Sequence, residues 1–413
     1  MVIVRPIGEP LASSRRNGNP NAPGVLRHSR SFRRSAILRD VGKRSRLETF
    51  VVAGAGATAA PEELVGRLLE SAVGALDIFS VYLGEQLGYY RALHEGGPAT
   101  STELATRTGT AERYSREWLE QQATTGILQV EDASRGAQER RYALPKGYEE
   151  VLVNPLSDMF VTPIGRFLVG SAAQAPALLQ AYRTGRGVSW AQLGETARTA
   201  QADFNRPFFQ HHLVSDYLSQ VPGLDATLRG AGARIAEIGC GAGWAAIAVA
   251  RGYPACEVDG YDIDAPSIAM ARANLSETDL GSRVRFHHRD AASAEGTAAY
   301  DLVCAFECIH DMPDPVSVLR TMRGLTKSNG TVLVMDERVA DTFGAVGDFN
   351  ERFFYGASLV VCLPDGLSSS PSVGTGTVMR ASTLREYAVA AGFNDIEVLP
   401  LEHDLFRFYR LVT

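Results

Sequence analysis

The chain has 413 residues, is 45% hydrophobic and 21% charged, and carries a formal net charge of −6. That length and apolar content predict a globular protein of two or three domains. No run of 18 or more apolar residues occurs, so no transmembrane helix is expected, and no secretory signal with an apolar core is expected either.

The first sixty residues stand apart. From Met1 to Arg46, ten arginines and one lysine face only Glu9 and Asp40, a net of plus nine that leaves minus fifteen for the remainder. Residues 1–60 are rich in Arg, Ser, Pro and Gly without apolar periodicity, so a disordered basic extension is predicted. An organelle address or a nucleic-acid-binding arm would share this composition. An upstream extension is the preferred reading, because patterned sequence begins near Pro61.

Residues 61–150 predict helices at 61–73 and 76–93, then a short helix opened by Thr100 with Glu103 in capping-box spacing. A longer helix follows at 112–124, and segments 126–130 and 141–144 read as a two-stranded wing. Residues 151–222 read as a helical linker that caps the substrate site. Within it the aromatic-rich stretch 204–212 is expected to form one wall of that site. His211 and His212 are assigned no role, since such residues usually sit solvated on a helix.

The last region, 223–413, alternates strands and helices and predicts an open parallel α/β sheet with its site at the carboxyl ends of the strands. Arg234 to Ile238 forms the first strand, and Gly239, Gly241 and Gly243 turn it into a helix whose first N–H groups face a ligand. The same glycines fit the relaxed dinucleotide pattern G-x-G-x-x-A. Glu237, however, stands where a buried strand would by default carry an apolar residue, and a pyrophosphate would gain nothing from a carboxylate there. Strands follow at 256–261, 284–288, 300–306 and 330–335. Asp262 closes the second, about 20 residues beyond the glycines, where a carboxylate can accept from ribose hydroxyls. Segment 341–376 is too long for an ordinary connection and suggests an apolar lid or extra core. A helix at 382–392, with Ser382 as N-cap, precedes two closing strands at 395–399 and 405–412.

The spacing Glu237-x-Gly239-x-Gly241-x-Gly243, with the closing strand pair, resembles the class I S-adenosylmethionine-dependent methyltransferases. The region in front of it resembles the winged helix-turn-helix module of several such enzymes. This resemblance implies a Rossmann-like catalytic sheet behind an α-helical winged-helix domain, with S-adenosyl-L-methionine as cofactor. It assigns the cofactor to Glu237, Gly239, Gly241, Asp262, Ile263, Asp290, Ala291 and Phe306. Ile263 would pack on adenine and Asp290 would bond its amino group.

Ile309-His-Asp-Met-Pro-Asp314 is similar to the L-H-D-W-S-D signature of small-molecule O-methyltransferases, with Met312 in place of the tryptophan. That likeness makes His310 the expected general base, and Glu337, at the end of the fifth strand, its orienting carboxylate. Imidazole titrates near neutral pH, so the chemistry is sound independently of the likeness. Methyl transfer to oxygen of a small, hydrophobic or aromatic acceptor is the leading reading. An N- or C-methyltransferase would use the same cofactor residues without needing His310.

A cofactor-sensing DNA-binding regulator is the non-enzymatic alternative. Against it, helix 112–124 sets Arg113 and Arg116 against Glu112, Glu117 and Glu120, a net of minus one where phosphate contact favours a basic face. The module is therefore expected to build a homodimer rather than to bind nucleic acid, and no membrane partner is expected. The five cysteines, at 240, 256, 304, 308 and 362, contain no C-x-x-C pair. This argues against a zinc site or a disulfide framework, so no metal is expected, and for a reducing cytoplasm.

Overall fold

The computed structural model describes residues 60–293, 298–344 and 346–413. The basic extension read over residues 1–60 lies, apart from Ala60, outside them.

The chain opens with a 26-residue helix, α1 (Pro61–Gln86), followed by α2 (Tyr89–Gly96), α3 (Ser101–Thr108) and α4 (Glu112–Thr124). The sequence suggested a break near Gly74, but the helix runs through it and stops at Gly88, which adopts a left-handed φ of 70°. One interior glycine costs a helix only about 1 kcal/mol, whereas a left-handed residue ends it outright. The capping box expected at α3 is present, with Glu103 N–H donating to Thr100 Oγ1 and Thr100 N–H to Glu103. Strands β1 (Gln129–Val130) and β2 (Tyr142–Ala143) pair antiparallel as the wing. Tyr89, Tyr90, Leu104, Trp118, Leu119 and Tyr142 form the core of this unit. Gly84 admits the Trp118 ring, which a Cβ would meet at 2.4 Å.

Four helices lead onward: α5 (Glu149–Leu152), α6 (Pro163–Ala173), α7 (Ala175–Thr184) and α8 (Trp190–His211). α8 is kinked at Gly194 and contains Pro207. It packs along α6 and, through Phe208, against the core of the next unit.

A short helix, α9 (Leu224–Arg229), introduces the sheet: β3 (Arg234–Ile238), α10 (Trp244–Gly252), β4 (Glu257–Asp262), α11 (Ala265–Ser276), β5 (Val284–His288), β6 (Tyr300–Phe306), α12 (Pro315–Leu325) and β7 (Thr326–Glu337). Helices α13 (Phe349–Ala357), α14 (Leu363–Gly366) and α15 (Ala381–Ala390) follow, then β8 (Asp395–Val398) and β9 (Phe406–Val412). The seven strands lie in the order β5-β4-β3-β6-β7-β9-β8. Neighbours from β5 to β7 are parallel, and β9 runs antiparallel to β7 and β8. Alternate residues of β3 enter opposite layers, Ile235 with the α10 side and Ala236 and Ile238 with the α12 and α15 side, as the two-residue period of a strand requires. Ser382 does not cap α15. The helix begins one residue earlier with Arg380 at the cap position, and that guanidinium pairs with Glu351 of α13.

Candidate active site

β3 and β6 are neighbours in the middle of the sheet, and their carboxyl ends open into one cavity. β3 leaves the sheet through Gly239 and Gly241, with φ of +68° and +50°. A side chain resists that conformation. A Cβ on Gly239 would lie 2.7 Å from Cys308 Sγ, whereas one on Gly241, which borders the cavity, meets nothing within 4 Å. The bare backbone at Gly241 thus leaves room for a ligand rather than for the protein's own packing.

Asp262, at the end of β4, ties this turn down. Gly241 N–H donates to its Oδ2 and Asp264 N–H to its Oδ1, both at 2.8 Å. Burial pushes its carboxyl above the usual range, against the pull of those two donors. Asp264 caps α11 by accepting from Ser267 N–H at 3.0 Å, and Arg198 Nε of α8 reaches it at 2.7 Å. The linker helix therefore grips the loop that carries Asp262 and Ile263.

Glu237 is buried inside β3, and burial raises its carboxyl to about 8 although the Ala246 N–H donates to it. Its Oε2 has no hydrogen-bond partner among the described residues. Leaving a buried carboxylate oxygen unpaired is costly, so this atom is suited to a cationic or donating ligand.

The cavity has a volume of about 720 Å³, toward the upper end for small-molecule sites. All ten residues that the sequence nominated border it, namely Glu237, Gly239, Gly241, Asp262, Ile263, Asp290, Ala291, Phe306, His310 and Glu337. Asp290 Oδ1 accepts from Ala292 N–H at 2.9 Å, and Ile263 holds 68% of its surface exposed at the rim. Phe204 and Phe209 of α8, with Phe353, Phe354 and Val361 from the segment after β7, also line the cavity. Both the linker and the long insertion read from the sequence thus supply apolar surface to this cavity.

His310 stands on a single helical turn after β6 and is 2% exposed. Its Nδ1 lies 2.8 Å from Asp336 Oδ1 and 3.0 Å from Glu337 Oε2, and its Nε2 lies 3.3 Å from Asp311 Oδ1. A single Nδ1–H faces both carboxylates of β7, and the shorter contact is to Asp336. Burial alone would depress the imidazole, but Asp311, Asp336 and Glu337 outweigh it and hold the ring well above its usual value. Among the carboxyls, Asp336 is held low despite its burial because His310 and Glu337 stabilise its charge, while burial drives Glu337 well up. The sequence reading named Glu337 alone as the orienting group and passed over Asp336.

Glu307 was also passed over. It is the first residue past β6 and the sole non-glycine with positive φ (53°) among the described residues. Asn205 Nδ2 of α8 donates to its Oε2 at 3.1 Å, while its Oε1 is buried without a partner. Burial raises this carboxyl to about 8. Its position at the carboxyl end of a central strand was the available signal.

Comparison with known proteins follows the same division of the chain. Residues 75–153 match the family described as an Rv2258c-like winged HTH domain, and residues 236–332 match a methyltransferase domain family. A ubiquinone biosynthesis O-methyltransferase of Aromatoleum aromaticum is 31% identical over 180 residues, 42% of this chain and 69% of the relative. Other curated relatives of that name are matched over about half of their length or less, 46% in Stutzerimonas stutzeri. Among solved structures, the mitomycin 7-O-methyltransferase MmcR superposes with a TM-score of 0.62 at 23% identity, covering 85% of this chain and 97% of its own. Human N-acetylserotonin methyltransferase bound to S-adenosylmethionine gives 0.62 at 19% identity, covering 87% and 99%. These two likenesses show a shared fold. With the sheet order, the glycine turn and the match to the Aromatoleum relative together, the chain belongs to the class I S-adenosylmethionine-dependent methyltransferases, with a winged-helix domain in front of the catalytic sheet.

Proposed function

We propose that the chain transfers the methyl group of S-adenosyl-L-methionine to a hydroxyl oxygen of a small, apolar or aromatic acceptor, with His310 as general base. The observation that carries this reading is that one cavity joins the glycine turn to His310.

The residues present suit the cofactor. The unpaired Glu237 Oε2 offers a negative partner to the cationic methionine end, and Gly241 leaves the approach open. In this reading Asp262 would accept from the ribose hydroxyls, Ile263 and Ala291 would pack on adenine, Asp290 would bond its edge, and Gly239 and Phe306 would complete the cofactor's surroundings, all of them bordering the one cavity. When bound, the cofactor supplies an electrophilic methyl carbon on a positively charged sulfur. The chain's own task is to hold the acceptor in line and take its proton. Nδ1–H of His310 is committed to Asp336, so Nε2, which faces Asp311 Oδ1 at 3.3 Å, would accept the hydroxyl proton once the ring is neutral, as the acceptor oxygen takes the methyl group from the cofactor's sulfur. Asp336 and Glu337 then stabilise the resulting imidazolium. The aromatic wall from Phe204, Phe209, Phe353 and Phe354 favours a flat apolar acceptor.

The winged-helix unit serves a homodimer in this reading, not nucleic acid. Arg113 and Arg116 of α4 are each paired with a glutamate of the same helix, Glu117 and Glu112. Leu64, Val65, Leu68, Leu69, Val73 and Leu76 of α1 remain 47–65% exposed, an apolar face suited to a second copy. Among the described residues no helix is long and apolar enough to cross a membrane.

Calorimetry with S-adenosylmethionine and S-adenosylhomocysteine, followed by turnover on a phenol and catechol panel, tests the proposal. Asp262→Ala is expected to lose cofactor binding, and His310→Ala to keep it while losing turnover. Unchanged turnover in His310→Ala rejects the base assignment.

A further inference from the structure

α8 ends at His211, and the chain passes through His212 (φ −121°, ψ −36°) into a wide π-helical turn, Leu213–Tyr217. Successive side chains on a regular helix splay apart by about 100°. Here the two imidazoles converge instead on one carboxylate oxygen, because His212 leaves helical dihedrals. Asp158 Oδ1 lies 3.0 Å from His211 Nδ1 and 3.1 Å from His212 Nε2. Behind the second ring, His212 Nδ1 lies 2.7 Å from Asp216 Oδ2, and Ser215 Oγ donates to Asp216 Oδ1 at 2.9 Å. Asp216 thus fixes which ring nitrogen of His212 faces forward.

We propose that Asp158, His211 and His212 form a divalent transition-metal site that takes zinc. One donor atom from each lies within 4.8 Å of the others. Zinc bonds of about 2.0–2.1 Å at tetrahedral angles set donor atoms about 3.3 Å apart, a few tenths of an ångström from the two separations measured here. Two imidazoles and a carboxylate suit zinc rather than magnesium or calcium. The Asp216–His212 contact is the carboxylate–histidine arrangement that orients a metal-bound ring. The three side chains keep 31%, 40% and 17% of their surface exposed, which leaves a fourth position to water.

The location defines the role. Asp158 follows α5, just beyond the winged-helix match, and the histidines stand where α8 hands the chain to the catalytic unit. None of the three borders the cavity that holds His310. A zinc ion there would pin the start of the linker to its end and would take no part in methyl transfer.

The test uses the full chain, free of any histidine tag and stripped with chelator, titrated with zinc chloride by calorimetry. Metal content after gel filtration is measured alongside. One zinc per chain is expected in the native protein and in His310→Gln, whose residue belongs to a separate acidic cluster. Asp158→Asn and His212→Gln are each expected to abolish that uptake, and Asp216→Asn to weaken it about 10–100-fold. Circular dichroism checks that the variants fold. His211→Asn, at an exposed ring, tests the same donor set should a buried change disturb folding. No stoichiometric uptake by the native chain would overturn the site and leave an ion-pair cluster. Uptake that survives Asp158→Asn and His212→Gln, or that disappears in His310→Gln or on thiol alkylation, would place the metal elsewhere and overturn it equally.

Discussion

Asp336 Oδ1 stands 2.8 Å from His310 Nδ1, with both side chains sealed from solvent at 0% and 2% exposure. In so dry a setting the carboxylate fixes the ring and raises its proton affinity together. A base must be empty to accept a proton, and Asp311, Asp336 and Glu337 hold His310 protonated well above its usual range. The acid limb of the kcat/KM profile is therefore expected to extend above neutrality, with activity rising as His310 loses its proton. Asp336→Asn removes one of the charges responsible. It should move that limb to lower pH while lowering the plateau about 10²–10⁴-fold, the usual scale for a disabled base. A limb that stays in place in Asp336→Asn counts against His310 as the titrating group.

Glu237 carries a second pH signature, readable without any acceptor. Its carboxyl is raised from 4.5 to about 8 by burial. A group raised in the folded state contributes stability that is complete below its unfolded value and is lost as pH rises through the folded one. In the cofactor-free chain this loss develops between pH 4.5 and about 8. Glu237→Gln keeps the shape without the charge. Its melting temperature should match the native chain near pH 4.5 and exceed it by several degrees at pH 8.5. The order reverses for ligand: the variant should bind S-adenosylmethionine about tenfold or more weakly, the scale of one charged hydrogen bond. A larger loss for S-adenosylmethionine than for neutral-sulfur S-adenosylhomocysteine would place the carboxylate beside the sulfonium. Equal losses would place it at the ammonium.

Glu307 combines a left-handed backbone with an unpaired carboxyl oxygen at the cavity wall. Its φ of 53° costs a residue with a Cβ about 1–2 kcal/mol, and its Oε1 is buried without a partner. Glu307→Gly relieves both. The variant should melt at or above the native temperature while its acceptor KM rises at least about tenfold, with cofactor affinity unchanged. A lower melting temperature together with an unchanged KM would make Glu307 a structural anchor for Asn205.

What could be read from the sequence was what lies close along the chain. The glycine turn, the β4 carboxylate Asp262 and the His310-Asp311 pair are local patterns, and the parallel sheet follows from strands alternating with helices. What was missed depends on contacts made across the fold. Glu337 was named without its neighbour Asp336, yet both reach His310 Nδ1 at the strand end. Glu307 is met by Asn205 and Gln201 of α8, 102 and 106 positions earlier. Two adjacent histidines gave no hint of convergence, because the cause is a change of helix type after His211. The uninterrupted α1 was misread for an energetic reason, since Gly74 meets nothing within 4 Å and is tolerated on an open face.

The exposed face of α1 gives the last prediction. Leu64, Leu68 and Leu76 follow one another at intervals of one or two turns, flanked by Val65, Leu69 and Val73. A stripe of this kind on a free monomer would leave several large apolar side chains in water at about 1.5–3 kcal/mol each. A second copy laid along the same helix would cover it symmetrically, since the same patch serves both partners in a two-fold dimer. Leu68→Glu with Leu69→Glu is expected to halve the mass measured by light scattering. Cofactor affinity should hold, because neither residue borders the cavity. Turnover is the more informative readout. Activity lost with mass and regained at high protein concentration would mean that the partner copy helps to close the acceptor site, whereas full activity in the monomer would confine the face to assembly. A native chain that is already monomeric at micromolar concentration contradicts the proposal.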